Sequence, residues 1–342
     1  MTLRKIFKRI MVFGLLSLVV LAGSTGISRA AQSASGFYKG KTITIVEGFG
    51  AGSDFDRQAR LVAPFLQKAT GARVVKVENK SGAAGLIARN YLYNNAKNDG
   101  LTIMLDHGPR NIQNCLFGTA GVNYDWEEFV WIGKLVEENL ILAVDKNLVS
   151  TKMEDLAGQS LIMGVSRPFY EPLFVEALGL NRFKLVPGYQ NPNERVIGIA
   201  RSEINATIGN TFSFTDSFDT IKPVAISFPH KDYPGVPTLR ELAPADKTKW
   251  VDYVEAFETV QFSFVAPPGT PADRAKFLED CLQKVYNNPQ FEKALAKQWL
   301  DKTSAFIGSN EINQVTKGLA NMSPEEVKEL QYVIEEKYMI LK

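Results

Sequence analysis

KTITIVE (Lys41–Glu47) runs into GFGAGS (Gly48–Ser53) and then into DFDRQARLVAPFLQK (Asp54–Lys68). These three pieces decide the fold. The first is β-branched and alternating, which predicts a strand. The second is a glycine-rich turn. The third places Phe55, Ala59, Leu61, Val62, Phe65 and Leu66 at helical spacing, which predicts a helix from Asp54 or Phe55 to Lys68. The theme repeats downstream. Arg73–Val77 reads as a second strand, Asn79–Gly85 as a second glycine-rich loop, Leu86–Asn95 as a helix and Leu101–Leu105 as a third strand. A βαβαβ unit of this kind implies a parallel sheet with right-handed crossovers.

Further along, strands are expected at Val130–Leu135, Ile141–Val144, Gln159–Met163, Lys184–Val186, Ile204–Ile208 and Ile221–Ile226. Helices are expected at Glu171–Leu178 and Asn193–Arg201. Phe257–Val265 reads as a long apolar strand, stopped by Pro267-Pro268-Gly269-Thr270-Pro271, with Thr270 capping a helix to about Tyr286. Ser323 before Pro324-Glu325-Glu326 caps the last helix. No fixed repeat or long linker interrupts the chain. The expectation is an α/β protein of two lobes, each a mainly parallel sheet flanked by helices. Residues 31–135 and 258–342 form one lobe and 136–257 the other, with crossings near 135 and 257.

The N-terminus reads as a targeting segment. Arg4, Lys5, Lys8 and Arg9 form a basic region, Met11–Gly23 an apolar run, and Ser28 and Ala30 a cleavage site after Ala30. The run is shorter than the ~20 residues a spanning helix needs. Leu21-Ala22-Gly23-Ser24 carries Ser24 where a lipidated cysteine would stand. Export to the periplasm without a lipid anchor is therefore expected. Losing the segment's five basic residues turns the formal net charge of +2 into −3. No basic stripe suggests nucleic acid. Cys115 and Cys281 are the only cysteines. An oxidising compartment permits a bridge, but two buried free thiols is the plainer reading.

Enzyme signatures are missing. There is no G-x-S-x-G, H-E-x-x-H or C-x-x-C, and His107 and His230 are the only histidines. No metal or cofactor is implied. The turn at Gly48–Ser53 lies between a strand and a helix start, where amide N–H groups and the helix dipole favour an anion. A dinucleotide fingerprint, with Glu78 as the ribose acid, fits poorly because Ser53 stands where the third glycine belongs. Gly82-Ala83-Ala84-Gly85 opens the next helix at the same end of the sheet, where open α/β sheets bind ligands.

Several blocks then point the same way. Val46–Arg60 resembles the V-P-F-x-P-G-G-x-x-D-x-x-A-R motif of tripartite tricarboxylate transporter receptors, the Bug family, matching at Phe49, Gly52, Asp56, Ala59 and Arg60. Val77–Gly85 is similar to that family's V-E-N-R-P-G-A-G-G. Tyr124-Asp125 with Phe129, Val236-Pro237-Thr238 and Phe264–Pro271 resemble its later blocks in order. The resemblance implies a two-lobed Venus-flytrap fold holding a small organic carboxylate between the lobes. It also implies integral-membrane permease partners, a monomer and no catalysis. The family's first loop, here Phe49, Gly50, Ala51, Gly52, Ser53 and Asp54, grips a carboxylate through backbone amides. Asp56 is read as a helix-start residue.

The chain departs from the family in the second lobe. Val165-Ser166-Arg167-Pro168-Phe169-Tyr170 stands where the family has a glycine loop, and Tyr189-Gln190-Asn191-Pro192 replaces another. Arg167 is a candidate for a second carboxylate, and Phe169 and Tyr170 for covering an apolar or aromatic body. Gly82, Ala83, His107, Arg110, Ser166, Tyr189, Asn191 and Asn210 complete the candidate set. Asp54 adds a negative charge beside the anion loop. Two rival roles remain open: a periplasmic sensor for a two-component system, and a hydrolase using His107 as base with Ser166 or Tyr170.

Overall fold

The computed structural model describes residues 33–137, 139–165, 169–180, 182–189, 191–214, 217–298 and 301–338. The expected signal segment, Ser166, Arg167 and Gln190 lie outside them. The chain divides at Phe37–Tyr38 into two units. The first contributes the start of a short helix, Ala34–Tyr38. The second is Tyr38–Lys342.

Two sheets organise this unit, in a mixed α/β, two-lobed architecture. The strands are β1 (Thr42–Glu47), β2 (Val74–Asn79), β3 (Thr102–His107), β4 (Val130–Glu137), β5 (Leu140–Asp145), β6 (Leu161–Val165), β7 (Phe183–Pro187), β8 (Ala206–Asn210), β9 (Ile221–Ile226), β10 (Gln261–Ala266) and β11 (Asp301–Gly308). The first sheet has the order β11-β4-β10-β3-β1-β2 and the second β7-β6-β8-β5-β9. Flanking helices are α1 (Asp54–Thr70), α2 (Leu86–Asn94), α3 (Gly108–Leu116), α4 (Tyr170–Ala177), α5 (Pro192–Ala200), α6 (Thr248–Val260), α7 (Ala272–Tyr286), α8 (Pro289–Ala296), α9 (Ser309–Ala320) and α10 (Pro324–Tyr332).

The βαβαβ unit forms as its pattern dictates. β1 pairs in parallel with both β2 and β3. Ile43 and Ile45 are fully buried, and so is Val46, because helices cover both faces. Ser53 caps α1 through its hydroxyl, which accepts from the Asp56 amide, and Gly71 closes the helix in the left-handed region. The strands that return through the crossovers change the pairing. β10 is antiparallel to β3 and β4, and β5 is antiparallel to β8 and β9. Both sheets are therefore mixed rather than mainly parallel.

Two local expectations are corrected. Phe257–Val260 belongs to α6, not to a strand, since Trp250, Val251, Val254 and Phe257 place the buried face at helical spacing. The strand begins at Gln261. Thr270 is not a helix cap. Its hydroxyl donates to the Pro267 carbonyl at 2.8 Å, and α7 begins after Pro271. The capping box at Ser323 and Glu326 is present.

The chain passes from the first sheet to the second between β4 and β5, and back between α6 and β10. Asn139, with φ +38°, occupies the first passage and is buried. Its side-chain oxygen accepts from the Ser227 hydroxyl at 3.0 Å and the Phe228 amide at 3.2 Å. The Leu140 amide donates to Ser227 Oγ and to Glu258 Oε1, and the fully buried Lys134 donates to the Glu258 carbonyl. Both passages are thus joined by one polar network. Cys115 and Cys281 are free thiols. No helix among the described residues is long and apolar enough to cross a membrane.

Candidate functional site

The C-terminal ends of β1, β2 and β3 meet at one edge of the first sheet, and the two glycine-rich loops lie there in contact. A Cβ on Gly48 would stand 2.6 Å from the Gly85 Cα, so the loops touch backbone to backbone. Ser81 Oγ donates to the Phe49 carbonyl at 2.6 Å and adds a second tie. The second loop is strained: Gly82, Ala83, Ala84 and Gly85 all have positive φ, between 47° and 140°. For the two alanines this costs about 1–2 kcal/mol each. Such outliers persist where surrounding structure over-determines them.

That surrounding structure includes a buried ion pair. Arg89 and Asp106 are both fully buried, with Nε donating to Oδ1 at 2.7 Å. Arg89 also donates to the carbonyls of Ala84 (3.1 Å) and His107 (3.3 Å). The other oxygen of Asp106 accepts from Asn111 at 2.7 Å. Arg89 therefore ties the strained turn to the end of β3.

The first loop is held from behind by two carboxylates. Glu47, fully buried, accepts from the Phe49 amide at 2.7 Å and from the Asn79 side chain. Burial raises its pKa, opposed by those two hydrogen bonds. Asp56 accepts from the Gly52 amide at 2.9 Å, from Asn79 at 2.8 Å and from Arg60 Nε at 3.0 Å. The Arg60 bond is the chief reason its carboxyl is held down to about 2. Asp56 is thus more than a helix-start residue: it staples the loop. The loop amides expected to grip an anion are partly engaged, since Phe49 and Gly52 serve Glu47 and Asp56, and Ser53 donates to the Gly50 carbonyl. Gly50 and Ala51, between those engaged amides, are exposed. Asp54 pairs with Arg57 beside the loop.

Rings close the floor. Phe49 stacks on Phe55 at 4.5 Å, Phe55 on His107 at 5.6 Å, and Phe55 tilts against Phe262 at 4.7 Å. Phe262, at the β10 bulge, has φ +56° and is buried. His107 caps α3, its Nδ1 accepting from the Arg110 amide at 3.3 Å. Its pKa is pushed well below 6.5 by burial first, then by Arg110 and Arg89. A neutral imidazole whose Nδ1 already accepts a helix amide is poorly placed as a general base.

Arg110 reaches toward the second sheet. Its guanidinium lies 5.2 Å from the Phe169 ring centroid, and NH1 donates to Gln113 at 2.6 Å. Phe169 and Tyr170 are buried, with Phe169 packed edge-on against Tyr170 and Phe257. The structure therefore brings Phe49–Asp54, Gly82, Ala83, His107 and Arg110 to one edge, and Phe169 against Arg110. Other candidates have different occupations. The Tyr189 ring packs over Gly164 and Gly198, and its hydroxyl donates to Glu203 at 3.1 Å. Asn191 caps α5. Asn210 ends β8 opposite Leu140. Ser166 and Arg167 fall outside the described residues. Glu47, Phe55, Asn79, Arg89, Asp106 and Phe262 escaped the sequence reading. A charge ending an apolar strand, as at Glu47 and Asp106, was the available signal.

No family model matches the chain. It is 23% identical over 303 residues to Protein BugT of Bordetella pertussis, covering 81% of this chain and 88% of that one. Among solved structures, a TctC solute-binding protein from Polaromonas superposes with a TM-score of 0.68 at 17% identity, covering 88% of this chain and all of the other. MatC from Rhodopseudomonas palustris with bound malate gives 0.56 at 18% identity, over 86% and 99% of the two chains. A Rhodopseudomonas palustris protein with adipate, Rpa4515, gives 0.59 at 19%, over 86% and 97%. The structural likeness shows a shared two-lobed binding-protein fold. The resemblance to BugT extends over most of both chains. By its name the Polaromonas protein is a solute-binding protein.

Proposed function

We propose that this chain is a periplasmic receptor of the Bug family that captures a small organic carboxylate in the cleft between its two lobes and delivers it to integral-membrane permease subunits. On this reading residues 31–135 with 258–342 form one lobe and 136–257 the other, with crossings near 135 and 257. One carboxylate of the ligand sits at the edge where the two glycine-rich loops touch, taken by the exposed amides of Gly50 and Ala51 and by the start of α1. The rings of Phe49, Phe55 and His107 lie against its carbon body. The observation that supports this reading most is the backbone contact of Gly48 with Gly85, which sets both loops at one strand edge. Closure follows from a ligand that contacts both lobes, because only differential contacts shift such an equilibrium. The protein works as a monomer without a cofactor.

The test is a thermal-shift screen of the mature chain with malate, succinate, adipate, benzoate and glutamate. A ligand at 100 times its Kd stabilises by about 2.7 kcal/mol, so the melting temperature should climb with concentration for at least one acid. Flat melting curves with all carboxylates would sink the proposal, and chemical conversion of a bound acid would replace it with a hydrolase.

A further inference from the structure

Arg195 belongs to none of the motifs read from the sequence, yet its setting is unusual. It lies in the first half of α5, whose N-terminal end stands beside the C-terminal edge of β6, β7 and β8. The residue is only 9% exposed. One guanidinium nitrogen donates to the Ile208 carbonyl, midway along β8. The nearest carboxylate is Glu171 Oε1 at 4.0 Å, outside hydrogen-bond range. The buried Nε has no hydrogen-bond partner. Burial depresses its pKa, opposed by Glu171 and Glu194. A desolvated guanidinium with an idle donor and a loosely set counter-ion is costly in a protein interior.

Glu171 connects this group to the candidate site. Its Oε2 accepts from the Phe169 amide at 3.1 Å, and the Phe169 ring lies beneath Arg110. A run of contacts, Arg110, Phe169, Glu171, Arg195, therefore leads from the edge of the first sheet to the edge of the second. A guanidinium presents its donors in a planar fork that matches a carboxylate.

We propose that Arg195 receives the second carboxylate of a dicarboxylate ligand on the second lobe, with Glu171 as the counter-ion it exchanges for that carboxylate. The proposal rests on the carboxylate-receptor reading above. It makes Arg195 the residue that distinguishes two-headed from one-headed acids of equal length.

The test is calorimetric titration of the wild-type chain, Arg195→Gln and Glu171→Gln. The probes are malate with 2-hydroxybutyrate, and adipate with hexanoate. The wild type should prefer a dicarboxylate. Arg195→Gln should weaken that dicarboxylate at least tenfold and change its one-headed partner less than twofold. Glu171→Gln keeps an acceptor for the Phe169 amide but removes the competing charge, so it should tighten the dicarboxylate severalfold. Circular dichroism and melting without ligand report whether Arg195→Gln folds; if it does not, Glu171→Gln decides, and unchanged or weaker dicarboxylate binding overturns the assignment. Equal losses for one- and two-headed acids in Arg195→Gln also overturn it. So does a wild type that binds both kinds equally, while leaving the receptor reading intact. A wild type that binds no carboxylate overturns both.

Discussion

At Asp56 three donors converge on one carboxylate: the Gly52 amide, Asn79 and Arg60. The folded carboxyl titrates at about 2, below its ordinary 3.8. Its stabilisation is therefore complete above pH ~4 and lost as the pH falls through about 2. Arg60 is half exposed, which screens the pair. Asp56→Ala, which strands the Asn79 and Gly52 donors, should cost about 1–3 kcal/mol by thermal or urea unfolding at pH 7. The gap from the wild type should narrow toward pH 2. A variant as stable as the wild type at pH 7 would refute the staple. Asp56 was visible in the sequence as a motif position. Its role was not, because Asp56 lies on α1 and Asn79 at the end of β2, and only the parallel register of β1 with β2 brings Asn79 beside the loop.

Among the elements, the two glycine-rich loops were legible and their mutual contact was not. Glycine content marks a turn, but nothing in a sequence says that Gly48 faces Gly85. Gly48→Ala forces a Cβ to within 2.6 Å of backbone, and overpacking of this kind costs about 1–3 kcal/mol. Gly52 differs: a Cβ there meets nothing within 4 Å, and its cost comes from φ +84° alone, about 1–2 kcal/mol. Gly48→Ala should lower ligand affinity at least tenfold as the loops part. Gly52→Ala should keep affinity within a few-fold of the wild type. Titration of both variants checks this, and wild-type affinity in Gly48→Ala would refute the loop contact as the organiser of the site. The apolar run from Phe257 to Val265 shows where periodicity fails. Such a run is ambiguous between buried helix and buried strand, and the chain uses it as both, ending α6 and beginning β10 at Gln261.

For the unit Tyr38–Lys342, order along the chain foretold two α/β sheets, since βαβ units announce themselves by alternating period. Mixed pairing was not foretold, because antiparallel return strands look like any other strand before their neighbours are known. The rings of Phe49, Phe55, His107 and Phe262, and the placement of Arg195 near Glu171, arise only from tertiary packing. The network of Asn139, Ser227, Lys134 and Glu258 lies where the chain passes between sheets, which suits a joint about which lobes close on a ligand. Every role assigned to these residues turns on one event, reversible capture of an organic acid by the intact chain. The most direct check is a calorimetric titration of that chain with the best acid from the melting screen, followed by chemical recovery of the acid. One molecule bound per chain, saturable and recovered unaltered, is the predicted result. Absence of saturable heat, or recovery of a different compound, would contradict it.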